Sequence, residues 1–220
     1  MILFIDSEPA SGRKEAVRDR IDAARTRLTY RLEDLLDHPV HLARYSHLTA
    51  ELFNQIEVEA AFISGNTVAP SEYGAEADLL FGLLRDAPFP IFGFCGGHQL
   101  IALAHGIAPT PITMDGEPVV ERGYLPVNPV ENHSLLEAMG SDPIVRHYHS
   151  WEVPVLPPGF TNLASTDMCE IQMMVDERSK VVGTQFHPEY WTEDHPAGRS
   201  LISEFLSWAG VAVNGPTVDV

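Results

Sequence analysis

The stretch IFGFCGGHQL, residues 91–100, joins a short apolar run to a helix-like segment through a cysteine flanked by glycines. Ile91 to Phe94 reads as a buried strand, Gln99 to Ala104 has helical composition, and Cys95 falls at the turn between them. Gly93, Cys95 and Gly97 have the G-x-nucleophile-x-G spacing of an elbow, in which small neighbours let the backbone bend sharply and expose a reactive atom. A thiol at a helix N-terminus meets free N–H groups and the positive end of the helix dipole, and both favour thiolate. A free cysteine is also among the most buried residue types and often only packs. This stretch alone leaves both readings of Cys95 open.

Outward from the cysteine, the first half of the chain alternates strand and helix signals. ILFID is a strand, 13–36 a helix, VHLARY a strand and 48–53 a short helix. EAAFIS is a third strand and 75–84 a helix, followed by the strand that leads into Cys95. Alternation of this kind predicts a parallel sheet covered by helices on both faces. Ligands in such open sheets bind beyond the carboxyl ends of the strands, which is where Cys95 and the turn SGNT (64–67) would lie. The second half is richer in strands, with ERGYLPV, IVRHYHSWEV, FTNLAS, EIQMMVD and VVGTQF separated by turn-forming residues, and a helix over 198–208 closes the unit. One α/β domain over 1–210 is expected, with 211–220 as a mobile tail.

Composition narrows the function classes. The chain has 220 residues, 45% hydrophobic and 20% charged, as in an ordinary globular protein, and no apolar run reaches the length of a membrane span. Its N-terminus lacks the pattern of a signal peptide, so a cytoplasmic location is expected. The net charge of −17 argues against nucleic-acid and anionic-membrane binding, because both need basic surfaces. The charge is uneven: residues 1–36 carry seven basic and seven acidic side chains, which reads as a salt-bridged solvated helix. Two cysteines do not make a disulfide framework, and Cys169, in STDMCEIQMMV, reads as packing.

A nucleophilic cysteine needs a base, and the base needs a group that fixes its tautomer. QFHPEYW offers both: His187 follows an apolar strand, and Glu189 lies two residues on, where extended backbone brings i and i+2 to one face. Taken together, GFCGGHQL and VVGTQFHPE resemble the class I glutamine amidotransferase family, and the likeness covers nearly the whole chain. AAFISGNT resembles the family's strand ending in Ser-Gly-Gly-Pro, and HYHSWEV its glutamine-pocket segment. The acid follows the histidine here, unlike in an α/β-hydrolase.

The resemblance implies a flavodoxin-like fold: an open, mostly parallel sheet flanked by helices. It implies a triad of Cys95, His187 and Glu189, with Cys95 attacking the glutamine side-chain amide. The amides of Asn66 and Gly96 match the oxyanion donors, and Gly65, Gln99, Tyr148, Ser150 and Trp151 match substrate-binding positions. Asn66 and Thr67 depart from the family's Gly-Pro, which puts the oxyanion turn in question, although Asn tolerates a left-handed backbone.

No cofactor and no metal are expected. His147 and His149 alternate along a strand and could join His133 at a metal, but no CxxC or HExxH spacing supports that. His98 reads as a packing residue, and Trp151 and Trp191 as covers of the site or the core. The implied function is release of ammonia for a separate synthetase, since the chain ends soon after its last helix. The alternatives are a partner-independent hydrolase of γ-glutamyl amides, or a non-catalytic protein that senses a metabolite.

Overall fold

The computed structural model describes residues 1–36 and 38–214. Strands β1 (Ile2–Asp6), β2 (Val40–Arg44), β3 (Ala60–Ile63) and β4 (Ile91–Phe94) lie parallel in the order β2-β1-β3-β4. The strand Val181–Thr184 adds parallel to β4, with Gly183 opposite Gly93. Met173–Asp176, Thr161–Ser165 and Asn128–Pro129 then extend the sheet antiparallel, giving eight strands in all. The flavodoxin-like, mostly parallel architecture is therefore present, with the antiparallel strands confined to the C-terminal edge.

Residue alternation in the central strands builds two cores. Ile2 and Phe4 of β1, Phe62 of β3 and Phe92 of β4 meet Leu28, Leu32 and Leu35 of helix α1 (Glu15–Leu36) and Leu201, Ile202 and Phe205 of the closing helix Ala197–Ala209. Leu3, Ile5, Ala61, Ile63 and Ile91 face the other way, toward helices α2 (Ala50–Gln55), α3 (Asp78–Asp86) and α4 (Gly96–Ala104). A strand buried on both faces must be apolar throughout, and all residues of β3 and β4 are buried.

Several boundaries differ from the sequence reading. The helix expected from 48 begins at Ala50 because Thr49 caps it, its side chain accepting from the Leu52 amide. The 75–84 segment opens as a 3₁₀ turn over Ala75–Ala77 before α3. IVRHYHSWEV breaks at Ser150: Ile144–His149 pairs antiparallel with Glu121–Pro126 in a separate ribbon, and Trp151–Glu152 pairs with Thr110–Pro111. The expected tail boundary at 210 runs through docked chain, since Val211 is buried and the Asn214 amide donates to Leu35 O at 2.8 Å. Residues 215–220 of that tail lie outside the described residues. Among the described residues, no helix is long and apolar enough to cross a membrane.

Candidate active site

Cys95 is the N-cap of α4 and has φ 48° and ψ −100°, a conformation L-residues avoid at a cost of about 1–3 kcal/mol. The surroundings hold it there. Its amide donates to Thr184 O at 2.7 Å and its carbonyl accepts from the Gln99 amide at 3.1 Å. Gly93 permits the bend, because a Cβ on it would stand 2.6 Å from the Gly97 carbonyl carbon. The glycines of the elbow are thus set by backbone-to-backbone contact, and the thiol is delivered to the end of the sheet at 7% exposure.

His187 follows the Val181–Thr184 strand, and its amide donates to Arg146 O at 2.7 Å. Its Nδ1 lies 2.7 Å from Glu189 Oε1, which fixes Nδ1 as the protonated nitrogen facing the carboxylate and leaves Nε2 for other work. Burial alone would lower the pKa of His187, but the Glu189 carboxylate and the neighbouring Cys95 outweigh burial and hold it well above the ordinary value. That direction favours the imidazolium form beside Cys95. Cys95 and His187 converge on Gly65, where an added Cβ would come 3.5 Å from Cys95 Cβ and 3.2 Å from His187 Cε1. Gly65 makes room for this pairing at the floor of the site.

The turn carrying Asn66 is tied down by side chains that local sequence patterns do not single out. Gly65 O accepts from Arg25 Nη2 at 2.6 Å and from Ser64 Oγ at 2.9 Å. The Thr67 amide and hydroxyl donate to the Glu8 carboxylate at 2.9 and 2.6 Å. The Asn-Thr departure is accommodated in this way: Thr67 supplies a hydroxyl that a proline lacks, and Asn66 does not adopt a positive φ. Asn66 packs so closely on Gly96 that a Cβ at Gly96 would overlap its side-chain amide. The two residues expected to supply oxyanion donors therefore adjoin.

Helix α1 is more than a solvated salt-bridged face. Arg25 bridges Asp6 Oδ1 at 2.8 Å and Gly65 O, and Arg31 Nη1 donates to Glu189 O at 2.6 Å while stacking on Trp191 at 4.4 Å from its centroid. One helix thereby grips both the Asn66 turn and the segment carrying Glu189. Arginines spaced by six residues lie too far apart for a single helix-surface pair, and that spacing is the available signal that they reach different partners.

A cleft of about 740 Å³ opens over Cys95 and is lined by Gly65, Asn66, Gly96, Gln99, Tyr148, Ser150, Trp151, His187 and Glu189, so every residue expected at the site borders one space. Tyr148 is 52% exposed at its rim, beneath the guanidinium groups of Arg122 and Arg146. Gln99 lies at its floor: Nε2 donates to Trp151 O at 3.3 Å and to Gln185 Oε1 at 3.1 Å. Gln185 Nε2 in turn lies 3.6 Å from Cys95 Sγ. Gln185 is absent from the residues expected at the site; it lies in the bend between the Val181–Thr184 strand and His187.

His98, His133 and the second cysteine stand apart from the cleft, which His149 borders. Burial pushes the His98 imidazole down to about 3, so it stays neutral in the core behind the elbow. Cys169 is 1% exposed and its thiol is pushed up by burial, which makes it unreactive packing. His133 caps a short helix by accepting from the Leu135 amide and lies 3.4 Å from Glu177, apart from His147 and His149.

Residues 16–207 match the family described as glutamine amidotransferase class-I. Over 130 residues the chain is 36% identical to a glutamine-hydrolyzing GMP synthase subunit of Methanosarcina barkeri, covering 59% of this chain and 65% of that relative, just under two thirds of its length. It is 29% identical to anthranilate synthase component 2 of Vibrio parahaemolyticus, over 82% of this chain and 90% of that protein. The solved structure of a glutamine amido transferase from Methylobacillus flagellatus superposes with a TM-score of 0.67 at 18% identity, covering 100% of this chain and 98% of that one, and so has the same fold. With the match running through the cysteine elbow and the His187–Glu189 segment alike, the chain belongs to the class-I glutamine amidotransferase family.

Proposed function

We propose that this protein hydrolyses the side-chain amide of glutamine through a γ-glutamyl thioester on Cys95 and supplies the ammonia to a separate synthetase. The observation that carries the reading is the charge arrangement at the elbow: a thiol at a helix N-terminus beside an imidazole that Glu189 Oε1 holds at 2.7 Å. The Cys95 thiolate attacks the carboxamide carbon, forming a C–S bond and placing negative charge on the carbonyl oxygen. The Asn66 and Gly96 amides are the donors assigned to that oxyanion, and such donors are worth about 2.7–4 kcal/mol each. The C–N bond then breaks as His187 passes its Nε2 proton to the leaving nitrogen, and ammonia departs. Water attacks the thioester while His187 takes its proton, the C–S bond breaks, and glutamate leaves with the thiolate restored.

Substrate orientation falls to the rim. Main-chain groups of Tyr148, Ser150 and Trp151 are assigned the α-amino and α-carboxylate ends, and Gln99 the substrate's reacting end. The relatives are named as one part of a GMP synthase and as the second component of an anthranilate synthase, and those names support a partner-dependent role. The test is steady-state ammonia release from glutamine by the isolated chain and after addition of a cognate synthetase with its acceptor. Release that rises on addition supports the coupled reading. Full turnover unaffected by any synthetase, or fast use of other γ-glutamyl amides with poor use of glutamine, replaces it with a partner-independent γ-glutamyl hydrolase.

A further inference from the structure

Behind the wall of the cleft, the ribbon of Glu121–Pro126 and Ile144–His149 encloses a group of side chains that the hydrolysis does not use. His147 and His149 sit at i and i+2, so both point to the buried face of the strand, at 0% and 5% exposure, while Tyr148 between them points out. Glu121, 2% exposed, is the direct cross-strand partner of His149, and Gly123 lies opposite His147. Directly opposed residues on one face have Cβ atoms about 4.5–5.5 Å apart, so two imidazoles and one carboxylate are forced together. Their ligand atoms all lie within 4.8 Å of one another.

The hydrogen bonding of this group is incomplete in a particular way. Glu121 Oε2 lies 2.9 Å from His149 Nε2 and 3.4 Å from His147 Nδ1, yet neither nitrogen makes a hydrogen bond among the described residues. His149 Nδ1 is 3.1 Å from Trp151 O, which can only accept, so the Nδ1 proton is committed there. In the neutral ring the Nε2 lone pair then faces a carboxylate oxygen, an arrangement that calls for a positive species between them.

We infer that Glu121, His147 and His149 form a structural binding site for a divalent first-row transition metal ion of the zinc class. Two imidazoles and one carboxylate, without thiolate, are a donor set such ions accept, with a further position left for water. The supporting contacts are of the kind that orient metal ligands: the Nδ1 of His149 is held by a backbone carbonyl, and Gln172 Nε2 donates to Glu121 Oε2 at 2.5 Å. Because the three side chains are at most 5% exposed, the ion would be captured as the two strands pair, and its binding energy would appear as folding stability. The ion would brace the strand that carries Tyr148 and leads to Ser150 at the cleft, without touching the reacting atoms.

The test uses the full chain without a histidine tag, purified from zinc-supplemented culture and, separately, refolded with zinc or with chelator. Both zinc samples are washed with chelator after folding to strip surface-bound ions, and metal content is read by plasma mass spectrometry. The expected result is about one zinc per chain, together with a Tm about 5 °C above that of the chelator-refolded protein. Refolding with cobalt(II) should give the visible absorption of a low-coordinate cobalt site. Glu121→Gln and His147→Phe should each lose the retained zinc. Should these variants not fold, the wild-type zinc content and cobalt spectrum decide alone. Zinc wholly removed by the wash with Tm unchanged, or retained equally by a folded variant, would overturn the site and leave a proton between Glu121 and His149.

Discussion

Gln185 Nε2 lies 3.6 Å from Cys95 Sγ, while Gln185 Oε1 accepts from Gln99 Nε2 at 3.1 Å. The acceptor bond fixes which end of the amide meets the sulfur, so the donor end is directed at the atom that carries the thiolate charge before attack and regains it when the thioester breaks. A hydrogen bond to a charged group is worth about 1.5–3 kcal/mol. Gln185→Leu is therefore expected to lower kcat about tenfold or more with a smaller effect on KM. Gln185→Glu should be worse, because a carboxylate would oppose the thiolate. Steady-state kinetics of both variants check this; a change in KM alone would assign Gln185 to substrate binding.

The strained backbone at Cys95 separates its chemistry from its stability. Cys95→Ala keeps the Cβ and hence the strain at φ 48°, so its Tm should stay near that of the wild type while glutamine hydrolysis is abolished. Cys95→Gly, equally inactive, should unfold above Cys95→Ala, because glycine accepts a positive φ without steric cost. Thermal melts of the pair measure the release directly. Cys169→Ala should retain activity, since that thiol is buried away from the cleft.

The raised pKa of His187 gives a pH prediction with a definite sign. The stabilisation from the imidazolium is fully present below the ordinary histidine value near 6.5 and is lost as pH rises through the raised value. Glu189→Gln removes a charge that raises it, so the alkaline limb of kcat/KM should move to lower pH. His187→Asn should cost about two to four orders of magnitude in rate. NMR titration of His187 in the wild type and Glu189→Gln reads the shift; an unmoved titration would remove Glu189 from its assigned role.

Arg25 connects α1 to the Asn66 turn, and its loss should act on rate and stability together. Removing one partner of a buried ion pair costs about 3–5 kcal/mol, and Arg25→Ala leaves Asp6 and Gly65 O without its guanidinium. Arg25→Lys restores the charge but not two directed bonds, so it should recover most of the Tm and little of kcat. Denaturant melts alongside ammonia release distinguish these parts.

Much of the fold is legible in the sequence because its signals are local. The β3 and β4 strands are apolar throughout, as burial on both faces requires, and Gly93, Cys95 and Gly97 record an elbow whose backbone contacts admit nothing larger. His187 and Glu189 are legible because they stand two residues apart, although Glu189 is brought to the imidazole by the 3₁₀ turn Pro188–Tyr190 and not by the extended chain expected. Arg25, Gln185 and Glu8 are not, since each is defined by a partner at least 40 residues away in the chain: Gly65, Cys95 and Thr67. The break at Ser150 is hidden because IVRHYHSWEV reads as one strand, and only pairing with Thr110–Pro111 divides it. Composition likewise places the balanced charges of α1 in solvent, whereas Arg25 and Arg31 bond backbone carbonyls at the site.

Whether Cys95 carries the γ-glutamyl group can be read by covalent trapping with a glutamine-analogue electrophile, which requires no partner. The wild-type chain is incubated with the electrophile, digested and mapped by mass spectrometry, with His187→Asn treated in parallel. One adduct is expected, on the peptide containing Cys95, formed much more slowly in His187→Asn and suppressed by excess glutamine. An adduct confined to Cys169, or labelling of Cys95 that is indifferent to both His187 and glutamine, would show that Cys95 is not the nucleophile of a Cys-His-Glu triad.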